Sequence, residues 1–473
     1  MGIRFKTDFS QFVVSANLKR RGWEEITSVL DDDWDIYWAN VATVKFIFGP
    51  DNGLRLQAGQ LINHFPNHYE LTRKDLLVKN IKRHQRTLKR DGGPSDDIIP
   101  TTFVLPQDYA LFVEEYRKAP NTTWIMKPSS RSQGKGIFLI NKLSQIKAWS
   151  SNLLPPAMRH SADSYVVSRY IDNPLLIGGK KFDLRLYVVV TSFKPLQVYM
   201  SKLGFARFCN LKYIPGADEI DNEYVHLTNV AIQKNGEDYN EKHGNKWTLE
   251  DLRLYIEAIR GVETCEKLFS EIEGVVIKSL KACQNIIIND RHCFELYGFD
   301  IILDQELRPW LIEVNASPSL STTTQSDRLL KFKVINDVLL LVTPPDWLPL
   351  TLDTSSAQTQ GTQPQRSLAV PRTSVGSFRL IYDEEAEAER QVMSFSRSQR
   401  ASSEVGGASF SANGPWTPGG ALRRSGSSVG VQSSQQGSGS GAGSRPGTSS
   451  YQSSDSGSGR RRPMSAARAR PGL

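Results

Sequence analysis

The chain has 473 residues, of which 39% are hydrophobic, and it carries a formal net charge of +8. This hydrophobic content suffices for a large core, while the charge favours an acidic partner such as nucleic acid, an anionic membrane or an acidic protein surface. No apolar run approaches the roughly 18 residues of a membrane span, and the N-terminus lacks the apolar segment of a secretory signal. The four cysteines include no C-x-x-C pair, so free buried thiols are predicted. We therefore predict a soluble intracellular protein.

The first strong helical segment along the chain is basic. Residues 73–90 read RKDLLVKNIKRHQRTLKR. Such a helix could dock an anionic partner, and the alternative is an ordinary solvated helix face. The candidate docking side chains are Lys79, Lys82, Arg83 and Arg86.

A glycine-containing loop follows between two predicted strands, in TWIMKPSSRSQGKGIFLI, residues 123–140. The first strand ends at Lys127, and Gly134, Lys135 and Gly136 lead into the second. Glycines let backbone N–H groups approach phosphate oxygens, and lysines neutralise them. The loop is neither a Walker A motif nor a Rossmann fingerprint. It fits a flap that closes over a nucleotide, although a simple hairpin turn is the alternative.

Alternating charges open the longest predicted strand, in GGKKFDLRLYVVV, residues 178–190. Lys181, Asp183 and Arg185 share one face, and the apolar side chains between them share the other. We interpret this as a charged face inside a cleft rather than an exposed sheet edge, and arginine suits phosphate or carboxylate recognition. Other strands are predicted at 123–128, 136–140, 164–171, 196–201, 299–303 and 309–315, and helices at 248–261 and 266–288. These elements predict a mixed α/β or α+β body with largely antiparallel sheets.

A hairpin near the end of the body holds misplaced polar residues, in GFDIILDQELRPWLIEVNAS, residues 298–317. With a turn at 305–308, position 304 pairs with 309 and position 302 with 311. Asp300 then faces Glu313, and Asn315 lies on the same face. Two opposed carboxylates repel each other unless a cation lies between them. Together with an amide oxygen they form a hard-oxygen set that suits Mg²⁺.

The composition changes at about residue 355, where Ser, Gly, Gln, Pro and Arg begin to dominate. Such a segment has too little apolar surface to offset its ordering entropy, so 354–473 is predicted to be a disordered tail. Its basic end, GRRRPMSAARARPGL, is either a tether to a polyanion or a solvated terminus. One island, residues 377–390, could fold back on the body or form a short helix.

Taken together, these motifs resemble the tubulin tyrosine ligase-like family, in its polyglutamylase branch, over roughly residues 20–345. The matching stretches are HFPNHYELTRKDLLVKN, WIMKP, SQGKGIFL, GGKKFDLRLYV, HLTNVAIQK and PWLIEVNASPSL. The resemblance implies an ATP-grasp-like fold. We expect an N-terminal α/β domain at 1–105 with the basic docking stretch, and the ATP-grasp lobes at 106–353.

The resemblance also implies roles for individual residues. ATP would be held by Lys127, Gln133, Gly134, Lys135, the hinge Ser168, Arg169, Tyr170 and Ile171, and by Lys181, Asp183, Thr228 and Asn229. Mg²⁺ would be held by Asp300, Glu313 and Asn315. Arg207 and Lys246 would bind the carboxylates of free glutamate, and Arg185 would stabilise charge that develops during the reaction.

The implied reaction is ATP-dependent ligation of glutamate to glutamate side chains in the acidic tails of tubulin, through an acyl-phosphate. Expected partners are microtubules and accessory subunits, without nucleic acid, and the expected location is the cytoplasm and cytoskeleton, including cilium or flagellum. A glycine or tyrosine ligase on the same scaffold is one alternative. A catalytically weak microtubule-binding adaptor is another, and a nucleic-acid binder a third, although no such motif occurs.

Overall fold

The computed structural model describes residues 2–28, 31–50, 52, 55–94, 96–131, 133–150, 164–214, 222–236, 239, 245–347 and 372–394, apart from the side chains of 147–150. Three sheets organise these residues. Predictions that fall on 354–371 or 395–473, including the basic C-terminal end, lie outside the described residues.

The first sheet has four short parallel strands in the order β2-β1-β3-β4. Its strands are β1 (Arg4–Thr7), β2 (Glu24–Glu25), β3 (Ile36–Trp38) and β4 (Leu61–Ile62). The helices between and after them are α1 (Phe12–Lys19), α2 (Val41–Ile47), α3 (Tyr69–Thr72) and α4 (Lys74–Arg90). The last of these is the basic helix that the sequence predicted.

The second sheet is antiparallel, in the order β5-β8-β6-β7. Its strands are β5 (Thr102–Leu105), β6 (Trp124–Pro128), β7 (Phe138–Ile140) and β8 (Tyr165–Arg169), with α5 (Tyr109–Lys118) and α6 (Leu143–Ser150) between them. The predicted domain boundary after residue 105 falls within this sheet. It separates β5 from β8, although the two strands share a ladder of backbone hydrogen bonds.

The third and largest sheet is antiparallel and has eight strands, with the path β14-β13-β10-β11-β16-β15. Strand β9 adds to β10 and β12 to β11. The strands are β9 (Leu176–Ile177), β10 (Lys180–Phe193), β11 (Leu196–Phe208), β12 (Lys246–Thr248), β13 (Glu295–Leu303), β14 (Pro309–Asn315), β15 (Ser374–Val375) and β16 (Phe378–Asp383). The predicted mixed α/β body with mainly antiparallel sheets is confirmed.

Helices cover both faces of this central sheet. The helices are α7 (Glu223–His226), α8 (Val230–Gln233), α9 (Leu249–Arg260), α10 (Val262–Gln284), α11 (Gln325–Val342) and α12 (384–394), followed in the case of α11 by a 3₁₀ turn at Pro345–Trp347. Even-numbered side chains of β10, such as Leu184 and Leu186, join the core formed by α9 and α10. Odd-numbered ones, such as Tyr187 and Val189, join the core formed by α1 and α11.

The start of α9 agrees with the predicted helix at 248–261 and has a side-chain cap. The Thr248 hydroxyl accepts from the Asp251 N–H, and the Asp251 carboxylate accepts from the Thr248 N–H, which forms a capping box. Gly261 ends α9 with φ +85° and also begins α10. Because the two helices share this glycine, α10 starts earlier than the predicted residue 266.

A segment beyond the predicted body completes the central sheet. Strand β16 pairs with β11, and Phe378 on β16 is fully buried. The predicted boundary at 353/354 assigned this segment to a disordered tail, and the structure corrects that assignment for 372–394. The island at 377–390 does both things foreseen for it, since it folds back as a strand and continues as α12.

All described residues belong to one compact unit, residues 1–406. The four cysteines are free and buried, as predicted. Within the described part of the chain, no helix is both long and apolar enough to cross a bilayer.

Candidate active site

The candidate site lies at the charged end of β10. Lys181, Asp183 and Arg185 occupy alternate positions there, and all three are buried. The same face of the strand becomes apolar at Tyr187. One face therefore passes from a polar cleft into the core, as the alternating charges predicted.

Ion pairs join β10 to the strands on either side. The Arg185 guanidinium donates to both carboxylate oxygens of Asp300 on β13, at 2.6 and 3.0 Å. Arg207 on β11 donates to Asp183, with its Nε 2.8 Å from Oδ1, and also lies 2.9 Å from Asp300. Burial alone would raise the pKa of Asp300, but the two guanidinium groups hold that pKa well below its ordinary value. Asp300 is therefore an anion at any physiological pH.

The predicted oxygen set comes together on β13 and β14. Asp300 pairs directly with Glu313, and the Asn315 amide nitrogen lies 3.4 Å from a carboxylate oxygen of each. A half-turn of that amide would present its oxygen to the same point, because the two ends of the group are nearly isosteric. Two carboxylates and an amide oxygen fit a magnesium ion. No group of three His, Cys, Asp or Glu side chains among the described residues offers another metal site.

The register of this hairpin is only partly as predicted. Position 302 pairs with 310 rather than 311, and 303 with 309. The turn is longer than predicted because Asp304 accepts hydrogen bonds from the backbone N–H groups of Glu306 and Arg308. A β-bulge at Ile312 then adds one residue to β14. The two deviations cancel, so Asp300 still faces Glu313.

The loop between β6 and β7 approaches the site with backbone suited to anions. Gln133, Gly134 and Gly136 have φ of 63°, 78° and 74°, in the left-handed region. A side chain at Gly134 would place its Cβ 2.5 Å from Ile232 and 3.3 Å from the Asn229 amide oxygen. The left-handed φ favours glycine here, and a Cβ would also displace the end of the Ile232 side chain.

Two buried lysines face the same cleft. Burial lowers the pKa of Lys127 to about 8, and burial likewise lowers that of Lys181 to about 8. The Lys181 ammonium donates to the Tyr170 hydroxyl at 2.8 Å and to the His226 carbonyl at 2.9 Å. An anion that arrived between the two ammonium groups would compensate for their desolvation and favour their charged forms.

The cleft brings together all of the predicted nucleotide residues, and it encloses about 1160 Å³, including its opening to solvent. The predicted residues among its lining are Lys127, Gln133, Gly134, Lys135, Ser168, Arg169, Tyr170, Ile171, Lys181, Asp183, Thr228, Asn229, Asp300 and Glu313. His226 also lines it, and its Nδ1 hydrogen-bonds the Tyr170 hydroxyl at 2.9 Å.

The two residues expected to bind glutamate lie behind this wall and already have protein partners. Arg207 holds Asp183 and Asp300, as described above. The Lys246 ammonium lies 3.3 Å from the Asp327 carboxylate on α11, and burial lowers its pKa. Lys331, one helical turn after Asp327 on α11, donates to the same carboxylate at 3.1 Å.

Sequence reasoning missed three charged residues near the site. Lys74, the first residue of α4, lines the cleft with its ammonium 2.9 Å from Glu313. In the sequence it is one of many basic residues in 73–90, and only its position directly before the acidic Asp75 distinguishes it. Asp327 and Lys331 are spaced i, i+4 on a helix, which is a pattern typical of a surface pair. Only the tertiary structure shows that both are buried.

An oxygen set for a metal and a lysine-walled cleft between antiparallel sheets are features of an ATP-grasp-like ligase. The family model for the tubulin-tyrosine ligase family matches residues 54–348, and this chain belongs to that family.

Relatives match over most of the chain. A probable alpha-tubulin polyglutamylase, Ttll1, of Tetrahymena thermophila is 50% identical over 398 residues, covering 81% of this chain and 94% of the relative. A probable tubulin polyglutamylase, TTLL9, of Bos taurus is 43% identical, covering 72% and 79%. The human tubulin polyglutamylase TTLL5 is 37% identical over 345 residues, which are 70% of this chain and 25% of the length of the relative.

Proposed function

We propose that this protein is an ATP-dependent ligase that adds glutamate to glutamate side chains in the acidic tails of tubulin. The observation that carries this proposal is the charge balance of the cleft. Three lysines line the cleft, Lys74, Lys127 and Lys181, and two arginines, Arg185 and Arg207, pair with its carboxylates from behind. Among the described residues these five cations meet three carboxylates, those of Asp183, Asp300 and Glu313. Excess buried positive charge is costly unless an anionic ligand compensates it. The names of the relatives support tubulin polyglutamylation in particular.

ATP fits this charge balance, and its parts fit different walls of the cleft. Lys127, Lys135 and the backbone at Gly134 would bind its phosphates. The hinge from Ser168 to Ile171, with Thr228 and Asn229, would surround the nucleoside. Asp300, Glu313 and Asn315 would hold Mg²⁺, which when bound neutralises phosphate charge and orients the transferred group.

The residues of the chain would act mainly by positioning and by electrostatics. Arg185 holds Asp300, which lines the cleft, and in this proposal its guanidinium would stabilise the oxyanion of an acyl transfer. Arg207 and Lys246 would exchange part of their present ion pairs for the carboxylates of free glutamate. In this scheme the acceptor carboxylate takes the γ-phosphoryl group, and the amine of glutamate then displaces phosphate.

The basic helix α4 is the proposed docking surface for the tubulin tail. Lys79, Arg83 and Arg86 are exposed on it. Lys82 is less available, because burial lowers its pKa and its ammonium lies 5.1 Å from the centre of the Phe103 ring. Tubulin as substrate places the protein at the cytoskeleton, and cilia or flagella and accessory subunits are part of this proposal.

Incorporation of labelled amino acids into microtubules tests the proposed activity. We expect ATP-dependent incorporation of glutamate and none of glycine or tyrosine, because the cations near the site suit a second carboxylate. The assay uses the full chain, alone and with a cell extract that supplies accessory subunits. Incorporation of glycine would indicate a glycine ligase, whereas microtubule co-sedimentation without incorporation would indicate an adaptor.

Replacing Gly134 with alanine tests the nucleotide assignment. The new methyl group would collide with Ile232 in a loop whose φ already disfavours a side chain. We expect ATP affinity to fall about tenfold, which is about 1.4 kcal/mol of binding free energy. Gly92→Ala is the matched control, since Gly92 has φ of 73° but no atom within 4 Å of its added Cβ. Equal ATP affinity in both variants would contradict the assignment.

A further inference from the structure

A second cleft adjoins the candidate active site and shares Gln133 with it. One wall is formed by residues 316–321, which directly follow Asn315. Most of its lining is apolar or uncharged and polar, and the Oε1 atom of Gln11 there is buried without a hydrogen-bond partner. Among the lining residues that the structure describes, His64 is the one titratable side chain.

His64 is held by a buried carboxylate. Its Nδ1 lies 2.8 Å from Oε1 of Glu295, which is fully buried in β13. The other oxygen of Glu295 accepts from the Phe65 N–H at 3.0 Å and the Tyr297 hydroxyl at 2.9 Å. In the tautomer that donates a hydrogen bond from Nδ1–H to this carboxylate, the neutral imidazole carries its lone pair on Nε2. That atom lies 3.4 Å from the Ser317 hydroxyl, in the wall of the second cleft.

The other groups around His64 leave its Nε2 as the proton acceptor. Burial lowers the pKa of His68, whose ring centroid lies 5.3 Å from that of His64, so His68 stays neutral. Burial also raises the pKa of Tyr297 well above its ordinary value, so this hydroxyl remains a donor to Glu295. Within the described part of the chain, Glu295 is the one carboxylate paired with this ring. It orients the imidazole and stabilises an imidazolium, in the manner of a carboxylate–histidine pair in a base-catalysed acyl transfer.

We propose that His64 Nε2 is the base that takes a proton from the amino group of the incoming glutamate. This inference rests on the proposed ligase function. The amino acid arrives as an ammonium ion, which has no lone pair for attack. One proton passes to His64, and the free amine forms the C–N bond at the acyl-phosphate carbon. The C–O bond to phosphate then breaks, a second proton leaves with hydrogen phosphate, and the imidazolium releases its proton to solvent.

The test compares two nucleophiles in His64→Gln. Glutamate needs a base at neutral pH, whereas hydroxylamine is largely unprotonated and needs none. We expect glutamate ligation to fall about 10²- to 10³-fold, in kcat rather than in KM. ATP-dependent formation of hydroxamate on the acceptor should stay within about threefold of the wild type. The remaining glutamate ligation should rise steadily with pH, because solution then supplies the free amine.

Matched variants separate a base from a structural histidine. His68→Gln alters the neighbouring ring, which does not line the second cleft, and should ligate glutamate normally. Equal loss with both nucleophiles in His64→Gln, or normal glutamate ligation, would overturn the inference while leaving the ligase intact. If the wild-type chain forms neither product, the proposed function itself fails. Thermal melting of each variant shows whether a loss reflects unfolding.

Discussion

Glu313→Gln is expected to abolish glutamate ligation, with a fall of at least about 10³-fold, while the fold stays intact. Glu313 supplies one of the two carboxylates of the proposed magnesium site, and glutamine keeps its shape but not its charge. Its only ion pair among the described residues is with Lys74, the first residue of α4. The side chain is partly exposed, so the free energy of unfolding should change little. The measurements are labelled-glutamate incorporation and thermal melting.

Glu306→Gln serves as the control, because Glu306 lies in the turn of the same hairpin and is exposed. It removes the same charge from the same strand pair, away from the cleft. Ligation by Glu306→Gln should match the wild type. Retained ligation by Glu313→Gln would refute the metal assignment, and increasing the magnesium concentration should not rescue that variant.

Truncation after residue 353 is expected to destabilise the protein by about 3 to 6 kcal/mol. It removes β15, β16 and α12, and so strips β11 of a strand partner. It also exposes the part of the core that the fully buried Phe378 covers. The buried Asp337 carboxylate loses the hydrogen bond that it accepts from the Ser377 N–H at 2.8 Å. Urea unfolding followed by circular dichroism measures the loss.

Truncation after residue 394 is the matched control, since it keeps every contact of the described segment. Its unfolding midpoint should equal that of the full chain. Phe378→Ala in the full chain should reproduce about 3 to 5 kcal/mol of the effect. Equal midpoints for the two truncations would show that 372–394 does not stabilise the body.

Patterns of short range predicted much of this structure. The strand at 309–315 was predicted at its observed bounds, and the helix predicted from residue 248 begins at the capping box of Thr248. The alternating charges of β10 predicted which face meets the cleft. Each of these signals lies within one element, where periodicity and cap chemistry decide the outcome.

Features that depend on distant contacts could not be predicted in this way. The strand at 378–383 looked like an island in a polar tail, because its partner β11 lies far away in the sequence. Asp327 and Lys331 looked like a surface pair, and nothing local shows that Lys246 from β12 reaches them. The bulge at Ile312 was invisible because it compensates for a longer turn. The predicted boundaries at 105 and 353 fall between strands that pair with each other, β5 with β8 and β11 with β16.

The charged row on β10 also constrains how the central sheet can assemble. A slip of one residue would exchange the two faces of the strand. Lys181, Asp183 and Arg185 would then enter the apolar layer under α9 and α10, and Leu184 and Leu186 would line the cleft. That arrangement would bury three unpaired charges, so misregistered sheets are strongly disfavoured. The same side chains that give the cleft wall its charge therefore also favour the correct alignment of the strands.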